Sequence, residues 1–218
     1  MSELPKGLVW PSRQLILRSH SVPVHAQWVR RYYHEVLSSE WGCVAVFSPE
    51  SPIGGRCTRN GADVTWGRNT WNRSISDYRD EMAKLYRNEL DPSLSDSEHA
   101  DYFAQLRDLD ELAAQGILTF AGKQPPVKVM ESVHWVLELR PTLDDEGEAF
   151  SEPPRLLRMY FAEPREEPDM LLALHLATKA NGADVNREQT ASVRESARRA
   201  DSWAGAQAAA RYDRKQEA

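Results

Sequence analysis

The chain has 218 residues, of which 41% are hydrophobic, and this is enough apolar material for a globular core. No apolar run approaches the roughly 18 residues that span a bilayer, and the first ten residues lack the features of a secretory signal, so we expect a cytoplasmic protein without membrane contact. The net charge of −6 is uneven, with 12 basic and 10 acidic residues in 1–95 and 15 basic and 23 acidic residues in 96–218, and this argues against tight nonspecific binding to nucleic acid.

Two cysteines, Cys43 and Cys57, flank a stretch rich in proline and glycine. They could meet across a hairpin as a disulfide, but two reduced thiols is the simpler interpretation for a cytoplasmic protein. A zinc site would need two more ligands at recognisable spacing, and the sequence shows none. We therefore predict no metal site and no cofactor.

Residues 1–94 are predicted to form an N-terminal α+β extension, in which no catalytic motif is recognisable. Apolar side chains at helical spacing predict helices over residues 24–37 and 75–90. Between these helices, one strand is predicted to end at Phe47 and another to cover residues 62–67. The apolar face of the second helix contains Ile75, Tyr78, Met82 and Leu85.

A second domain is predicted over residues 95–205, because Asp91-Pro92 ends the preceding helix. Ser95 and Glu98 have the spacing of a capping box and Gly116 lies where a C-terminal cap belongs, so a helix is predicted between them. Its apolar stripe contains Tyr102, Phe103, Leu106, Leu109 and Ala113.

Three strands are predicted after this helix, over residues 127–140, 155–164 and 170–179, because apolar and polar side chains alternate. The core faces contain Val127, Val129, Val133, Trp135, Leu137 and Leu139, then Leu157, Met159 and Phe161, then Leu172, Leu174 and Leu176. The opposite faces contain His134, Glu138 and Arg140, then Arg158 and Tyr160, then Ala173, His175, Ala177 and Lys179. A closing helix is predicted behind Asn186, with Val193, Ala197, Ala200 and Ala204 at helical spacing, and a frayed polar tail over residues 206–218.

If the three strands are neighbours in one sheet, their polar faces form one surface that contains Arg140, Arg158, Tyr160, His175 and Lys179. Cations bind phosphate and stabilise charge in a transition state, and an imidazole or a phenol transfers protons, so this set suits chemistry on a phosphodiester. The alternative is that the solvent face of an antiparallel sheet is simply polar, and the periodicity alone leaves both interpretations open.

The same segments resemble the RelE/HigB toxin superfamily, especially its phage-derived HigB-like branch. The order is a helix ending LAAQG, a strand ending WVLELRP, then RLLRMYFAEP, LLALHLATK and a final helix rich in arginine and alanine, over about residues 95–205. This resemblance implies an α+β fold with a small, mainly antiparallel sheet packed with helices, like that of RelE and ParE proteins. In many members the activity is cleavage of mRNA on the ribosome without a metal, restrained by an antitoxin.

Position by position, the resemblance implies catalytic roles for Arg158, Tyr160, His175 and Lys179 and substrate-binding roles for Arg140 and Arg155. The chain departs from the family pattern at two points. It has one lysine where two are common, and Arg158 is one residue too close to the Tyr-Phe pair, unless Arg155 is the matching arginine. Strand parity favours Arg158, which lies beside Tyr160, whereas Arg155 lies at the start of the strand where it can reach water.

Two of these residues also have simpler interpretations. Arg140 can pair with a carboxylate such as Glu138 or Glu163, and we favour that structural role for it. His175 can be a satisfied, partly buried histidine. The functional and structural interpretations of His175 are equally supported by the sequence.

The sequence therefore predicts the toxin of a type II toxin-antitoxin system, an endoribonuclease that cleaves mRNA with or without the ribosome. Its expected partners are mRNA, the ribosome and an antitoxin encoded by an adjacent gene. The alternative is a protein with the same fold that binds a partner or serves a phage or mobile element without catalysis, because fold does not fix function.

Overall fold

The structure is a computed structural model that describes residues 47–48, 55–58, 68–142, 155–180 and 185–216. Two compact units divide the chain, Met1–Gly42 and Cys43–Ala218, and every described residue belongs to the second unit. The predicted helix over residues 24–37, the predicted strand over 62–67 and most of the one that ends at Phe47 lie outside the described residues.

The described part is an α+β structure with a mixed, mostly antiparallel sheet. Its strands are β1 (Phe47–Ser48), β2 (Thr70–Asn72), β3 (Val127–Val129), β4 (Val136–Leu139), β5 (Arg155–Pro164) and β6 (Met170–Ala180). Its α-helices are α1 (Ser76–Tyr86), α2 (Asp96–Gln115) and α3 (Val185–Gln216), with a 3-10 helix at Arg56–Thr58. The strand order is β2-β6-β5-β4-β3, only β2 and β6 pair in parallel, and β1 pairs with the end of β5. The predicted fold class is confirmed.

Helices α1 and α2 cover one face of the sheet and enclose the main core with it. Ser95 and Glu98 form the predicted capping box, with the Ser95 N–H 2.9 Å from Glu98 Oε2 and the Glu98 N–H 3.3 Å from Ser95 Oγ. Gly116 ends α2 with a φ of 73°, a left-handed conformation that glycine adopts without strain. Tyr78 and Leu85 anchor α1, and both are fully buried.

Helix α3 covers the other face of the sheet. Its buried face consists of Val193, Ser196, Arg199, Ala200, Trp203 and Ala204. It packs against β4, β5 and β6, so β5 is covered on both sides. The helix begins at Val185, which places Asn186 in its first turn rather than at the cap, and it continues through residues 206–216, which were predicted to be frayed. The polar strand faces therefore do not form an open surface.

The region over residues 127–140 is a hairpin and not the single strand that was predicted. Val127 pairs with Leu139 and Val129 with Leu137, and the Met130 N–H donates to the carbonyl of Val136 across the turn. Alternation of apolar residues fits either arrangement, because paired residues are an even number of positions apart along the chain and residues of the same parity therefore face the core in both strands.

A β-bulge shifts the faces of β6. Tyr160 pairs with His175, but Phe161 pairs with Ala173, so Leu174 has no opposite residue in β5. Leu172 and Leu174 consequently pack under α3, whereas Ala173 joins Leu176 in the core beneath α1 and α2. The predicted shared face of Leu172, Leu174 and Leu176 is wrong, because an inserted residue exchanges the two faces beyond it.

The segment at residues 55–58 is held against the end of β5 by Glu163. The Glu163 carboxylate accepts the N–H groups of Arg56 and Cys57, each at 2.9 Å. Cys57 is a buried free thiol, and burial, reinforced by the charge of Glu163, raises its pKa well above the usual value. Both effects disfavour the thiolate, so Cys57 is a packing residue rather than a nucleophile.

Asp91 joins the turn before α2 to the start of β5. It accepts hydrogen bonds from Ser93 at 2.6 Å, from Arg155 Nε at 2.8 Å and from Thr178, and Arg155 also lies 3.5 Å from Glu188. Two carboxylates therefore hold the Arg155 guanidinium, while 21% of the side chain stays exposed, which is consistent with the expectation that Arg155 can reach water. Burial alone would raise the pKa of Asp91, but these hydrogen bonds lower it to about 2.

Asp91→Asn is expected to lower the free energy of unfolding by about 1–2 kcal/mol at neutral pH, a value reduced for the partial solvent screening of the carboxylate. The folded-state pKa lies below the unfolded value, so the stabilisation is present above about pH 4 and disappears as the pH falls towards 2. Urea denaturation at several pH values should show the difference from wild type shrinking in that window. Asp101→Asn, at an exposed position of α2, is the control, and a difference for Asp91→Asn that does not depend on pH would contradict the assignment.

Gly205→Ala is expected to raise the free energy of unfolding by about 0.5–1 kcal/mol, because glycine inside a helix costs conformational entropy. Gly205 lies within α3, and a Cβ atom there would meet no atom within 4 Å. Gly116→Ala is the matched control and should destabilise, because alanine is strained at a φ of 73°. A destabilised Gly205→Ala variant would show that α3 packs differently.

None of the helices among the described residues is long and apolar enough to cross a membrane.

Candidate functional site

Four of the predicted site residues lie together on the face of the sheet beneath α3. The register places Tyr160 opposite His175, Leu156 opposite Lys179 and Arg158 two residues before Tyr160 on the same strand. Three of them are buried, since the relative exposure is 3% for Arg158, 1% for Tyr160 and 7% for Lys179, and His175 is partly buried. The structure thus brings Arg158, Tyr160, His175 and Lys179 together in a covered site.

Glu138 of β4 pairs with two buried cations, Arg158 and Lys179. Its Oε1 atom is 3.1 Å from Arg158 Nε and 3.3 Å from Lys179 Nζ, and Gln189 of α3 donates to its Oε2 atom at 3.1 Å. Arg158 also donates through Nη1 to the carbonyl of Pro141 at 3.1 Å. The Nε–H of Arg158 is not aligned for a hydrogen bond with Oε1, so this contact is an ion pair without the added strength of a good hydrogen bond.

A third cation, Arg140, stands close enough to influence this cluster. Burial lowers the pKa of both Arg158 and Lys179, the charge of Glu138 opposes that effect, and the charge of Arg140 lowers both values further. Within the described residues, the buried Nε of Arg140 has no hydrogen-bond partner, and Arg140 forms no ion pair with Glu138 or Glu163. The predicted pairing of Arg140 is therefore wrong: two cations pair with Glu138, and the third lies nearby without a carboxylate of its own among the described residues.

This cluster, which we call the Glu138 cluster, consists of Glu138, Arg140, Arg158 and Lys179 and has an excess of two positive charges. Buried cations without a full complement of carboxylates are unfavourable and favour an anion beside them. Phosphate oxygens are suitable partners, because the guanidinium of Arg158 can present two N–H groups to them. The arrangement can hold a phosphodiester once the site is open to solvent.

His175 occupies the other end of the site and is held by Glu81 of α1. The His175 Nδ1 atom lies 2.9 Å from Glu81 Oε1, and each of the two side chains is 15% exposed. The ring of Tyr160 stacks on the imidazole with 5.9 Å between centroids and 17° between planes. Burial, with the charge of Glu138, raises the pKa of Tyr160, so its hydroxyl stays protonated.

Glu81 is also the anchor of α3. Arg199 donates to both carboxylate oxygens, at 2.7 Å and 3.0 Å, and the backbone N–H of Leu176 donates to Oε2 at 2.8 Å. Burial alone would raise the pKa of Glu81, but the hydrogen bonds from His175, Arg199 and Leu176 lower it. The carboxylate therefore stays ionised beside the imidazole.

Arg155, predicted to bind substrate, is separate from the Glu138 cluster. Its guanidinium pairs with Asp91 and lies near Glu188, and its backbone carbonyl accepts the hydroxyl of Tyr102 at 2.7 Å. These contacts connect β5 to α2, to α3 and to the turn at Asp91. They are the contacts of a structural residue.

The sequence did not indicate Glu81, Gln189 or Arg199 as parts of the site. Glu81 precedes the segment that resembles the toxin family, and in an amphipathic helix a glutamate next to Met82 has the pattern of a surface charge. Gln189 and Arg199 lie on α3. The apolar stripe of this helix predicts that one of its faces is buried, but it does not predict which part of the sheet that face covers. Within the described residues, no group of three or more His, Cys, Asp or Glu side chains could hold a metal ion.

Comparisons of the chain with protein-family models, with curated proteins and with solved structures found no match.

Proposed function

We propose that the chain is the toxin of a type II toxin-antitoxin system, an endoribonuclease of the RelE/HigB type that cleaves mRNA without a metal. The observation that carries the proposal is the convergence of Arg158, Lys179, Tyr160 and His175 on one sheet face. Cations for a phosphate and an imidazole for a proton are the groups that such a cleavage needs.

The order of elements supports the same proposal. Helix α2 ends at the LAAQG segment, β4 forms the centre of the WVLELRP motif, β5 and β6 contain the next two motifs, and α3 follows. This is the order on which the resemblance rests. The sheet is small and mostly antiparallel, as the family resemblance implies.

In the proposed reaction the 2′-hydroxyl of the RNA attacks the adjacent phosphorus while Nε2 of His175 takes its proton. The new bond joins the 2′-oxygen to phosphorus, the bond from phosphorus to the 5′-oxygen breaks, and the products are a 2′,3′-cyclic phosphate and a 5′-hydroxyl. Arg158 and Arg140 bind the phosphoryl oxygens. Lys179 is a better acid for the departing 5′-oxygen than Tyr160, because burial lowers the pKa of the lysine and raises that of the tyrosine.

RNA can reach these residues only after α3 has moved. Gln189 bonds to Glu138, Arg199 bonds to Glu81 and to the carbonyl of Leu174, and an apolar cluster around Trp203 packs beneath the helix. The covered arrangement is therefore a resting state in the proposed mechanism. The antitoxin is the proposed partner that restrains the toxin.

A second candidate function follows from the same burial. Glu138 offsets one of the cations of its cluster, and α3 covers the face without leaving Arg158 or Tyr160 accessible. A protein with this fold that binds a partner through its acidic surface, without catalysis, would have this arrangement permanently. The two candidates differ in whether the chain stops translation.

The test is controlled expression of the full chain in a bacterium, with growth and protein synthesis followed over the first hour. The proposal expects rapid arrest, neutralised by co-expression of the adjacent open reading frame, and mRNA fragments with 2′,3′-cyclic phosphate ends. His175→Ala at matched expression is the control and should permit growth. Normal growth with intact translation, although folded protein accumulates, would favour the second candidate.

A further inference from the structure

Glu81 constrains the protonation of His175 through the geometry of its donors. A carboxylate only accepts hydrogen bonds, and the neighbours of Glu81 are the N–H of Leu176, two N–H groups of Arg199 and Nδ1 of His175. Nδ1 lies 2.9 Å from Oε1 and must therefore be the protonated nitrogen. In the neutral imidazole, Nε2 is then left with its lone pair.

We infer that Glu81 is a positioning residue for the reaction, which keeps the proton of neutral His175 on Nδ1 so that Nε2 can act as the general base. The inference rests on the proposed function and deepens it, because it assigns a role to a residue outside the segment that resembles the toxin family. No hydrogen bond to Nε2 is formed within the described part of the chain.

The position of Glu81 in the fold keeps this arrangement intact when α3 moves. Glu81 belongs to α1, which packs against β6, and β6 contains both His175 and Leu176. Opening of α3 removes Arg199 from the carboxylate, while the bonds to His175 and to Leu176 remain. Tyr160 of β5 also stays stacked on the imidazole, so the ring orientation is retained in the state that would bind RNA.

Glu81→Gln provides a sharp test, because glutamine has one acceptor oxygen and one donor amide. The N–H of Leu176 is a fixed donor, so the glutamine oxygen is expected to face it, and the amide group then faces Nδ1 of His175. Arg199 contacts both carboxylate oxygens and therefore does not decide between the two orientations. Only the imidazole can adapt, so its proton should move to Nε2.

The measurement is the ¹⁵N chemical shift of both ring nitrogens of His175 at about pH 8.5, where an ordinary histidine is neutral. The wild-type protein is expected to show a protonated Nδ1 and the Glu81→Gln variant a protonated Nε2. With mRNA and translating ribosomes, the variant should cleave about 10²–10⁴-fold more slowly, the usual contribution of a general base. Glu195→Gln is the matched control, because Glu195 lies 2.7 Å from Arg199 Nε and does not contact His175, so it should change neither result.

The outcomes separate this inference from the proposed function. A wild-type imidazole protonated on Nε2 overturns the inference, and this measurement needs no variant to fold. Cleavage by a folded Glu81→Gln variant at the wild-type rate also overturns it. A wild-type protein with the expected tautomer but no cleavage, on ribosomes or on free RNA, overturns the proposed function and with it a catalytic purpose for Glu81.

Discussion

Glu138→Gln is expected to lower the free energy of unfolding by about 3–5 kcal/mol, because it leaves two buried cations without their carboxylate. Arg158 and Lys179 both lie within 3.3 Å of Glu138 Oε1, and Arg140 adds a third positive charge nearby. Glutamine keeps the size and polarity of the side chain, so the loss measures the charge rather than the packing. Urea denaturation of purified protein at pH 7 gives the value.

Two further variants test whether charge is the cause. Glu131→Gln removes a carboxylate with 92% side-chain exposure that pairs with Lys128 at 3.7 Å, and it should change the stability by less than about 0.5 kcal/mol. The double variant Glu138→Gln with Lys179→Met should regain part of the loss, because one uncompensated cation is gone. A Glu138→Gln protein as stable as wild type would mean that solvent reaches the Glu138 cluster.

Arg158→Lys is expected to reduce RNA cleavage by about 10²-fold with little change in melting temperature, under the proposed function. Lysine retains the positive charge beside Glu138, which protects the fold, but an ammonium group cannot bind two phosphate oxygens as a planar fork. Arg158→Ala should lose about 10²–10³ in rate and also be less stable, because it removes one partner of a buried ion pair.

The matched control is Arg73→Lys, since Arg73 pairs with Asp110 at 2.6 Å beside α2, away from the face under α3. It should cleave RNA at the wild-type rate. Arg155→Ala should lower the stability through Asp91 without a specific effect on the rate per folded molecule. A folded Arg158→Ala variant that remains fully toxic would remove Arg158 from the proposed catalytic residues.

The sequence predicted local structure wherever one short motif contains the whole signal. Two local signals define α2 by themselves: the capping box of Ser95 and Glu98 at its start and Gly116 at its end. The structure contains both signals and the helix between them. The hairpin of β3 and β4 was missed, because apolar parity continues through the turn. The bulge at Leu174 was missed as well, since one unpaired leucine among the four of β6 leaves no mark in the composition.

For the candidate site, the sequence could predict which residues share a face but not what covers that face. Arg158, Tyr160, His175 and Lys179 follow from strand parity on the side of the bulge where the alternation holds. The burial of these residues depends on where α3 packs, and a stripe of alanines fits either face of a sheet. Glu81 comes close to His175 through the fold, from a helix 94 residues earlier in the chain, and no local pattern indicates such a contact.

The parallel pairing of β2 with β6 also governs when the protein can fold during synthesis. Thr70 pairs with Met170, so the edge of the sheet that β2 completes does not exist until the last strand has left the ribosome. Closing so long a loop is slow compared with forming the local hairpins. The nascent chain thus carries α1, with Glu81, for about a hundred residues before His175 is made, and a truncated product lacking β6 has no assembled site.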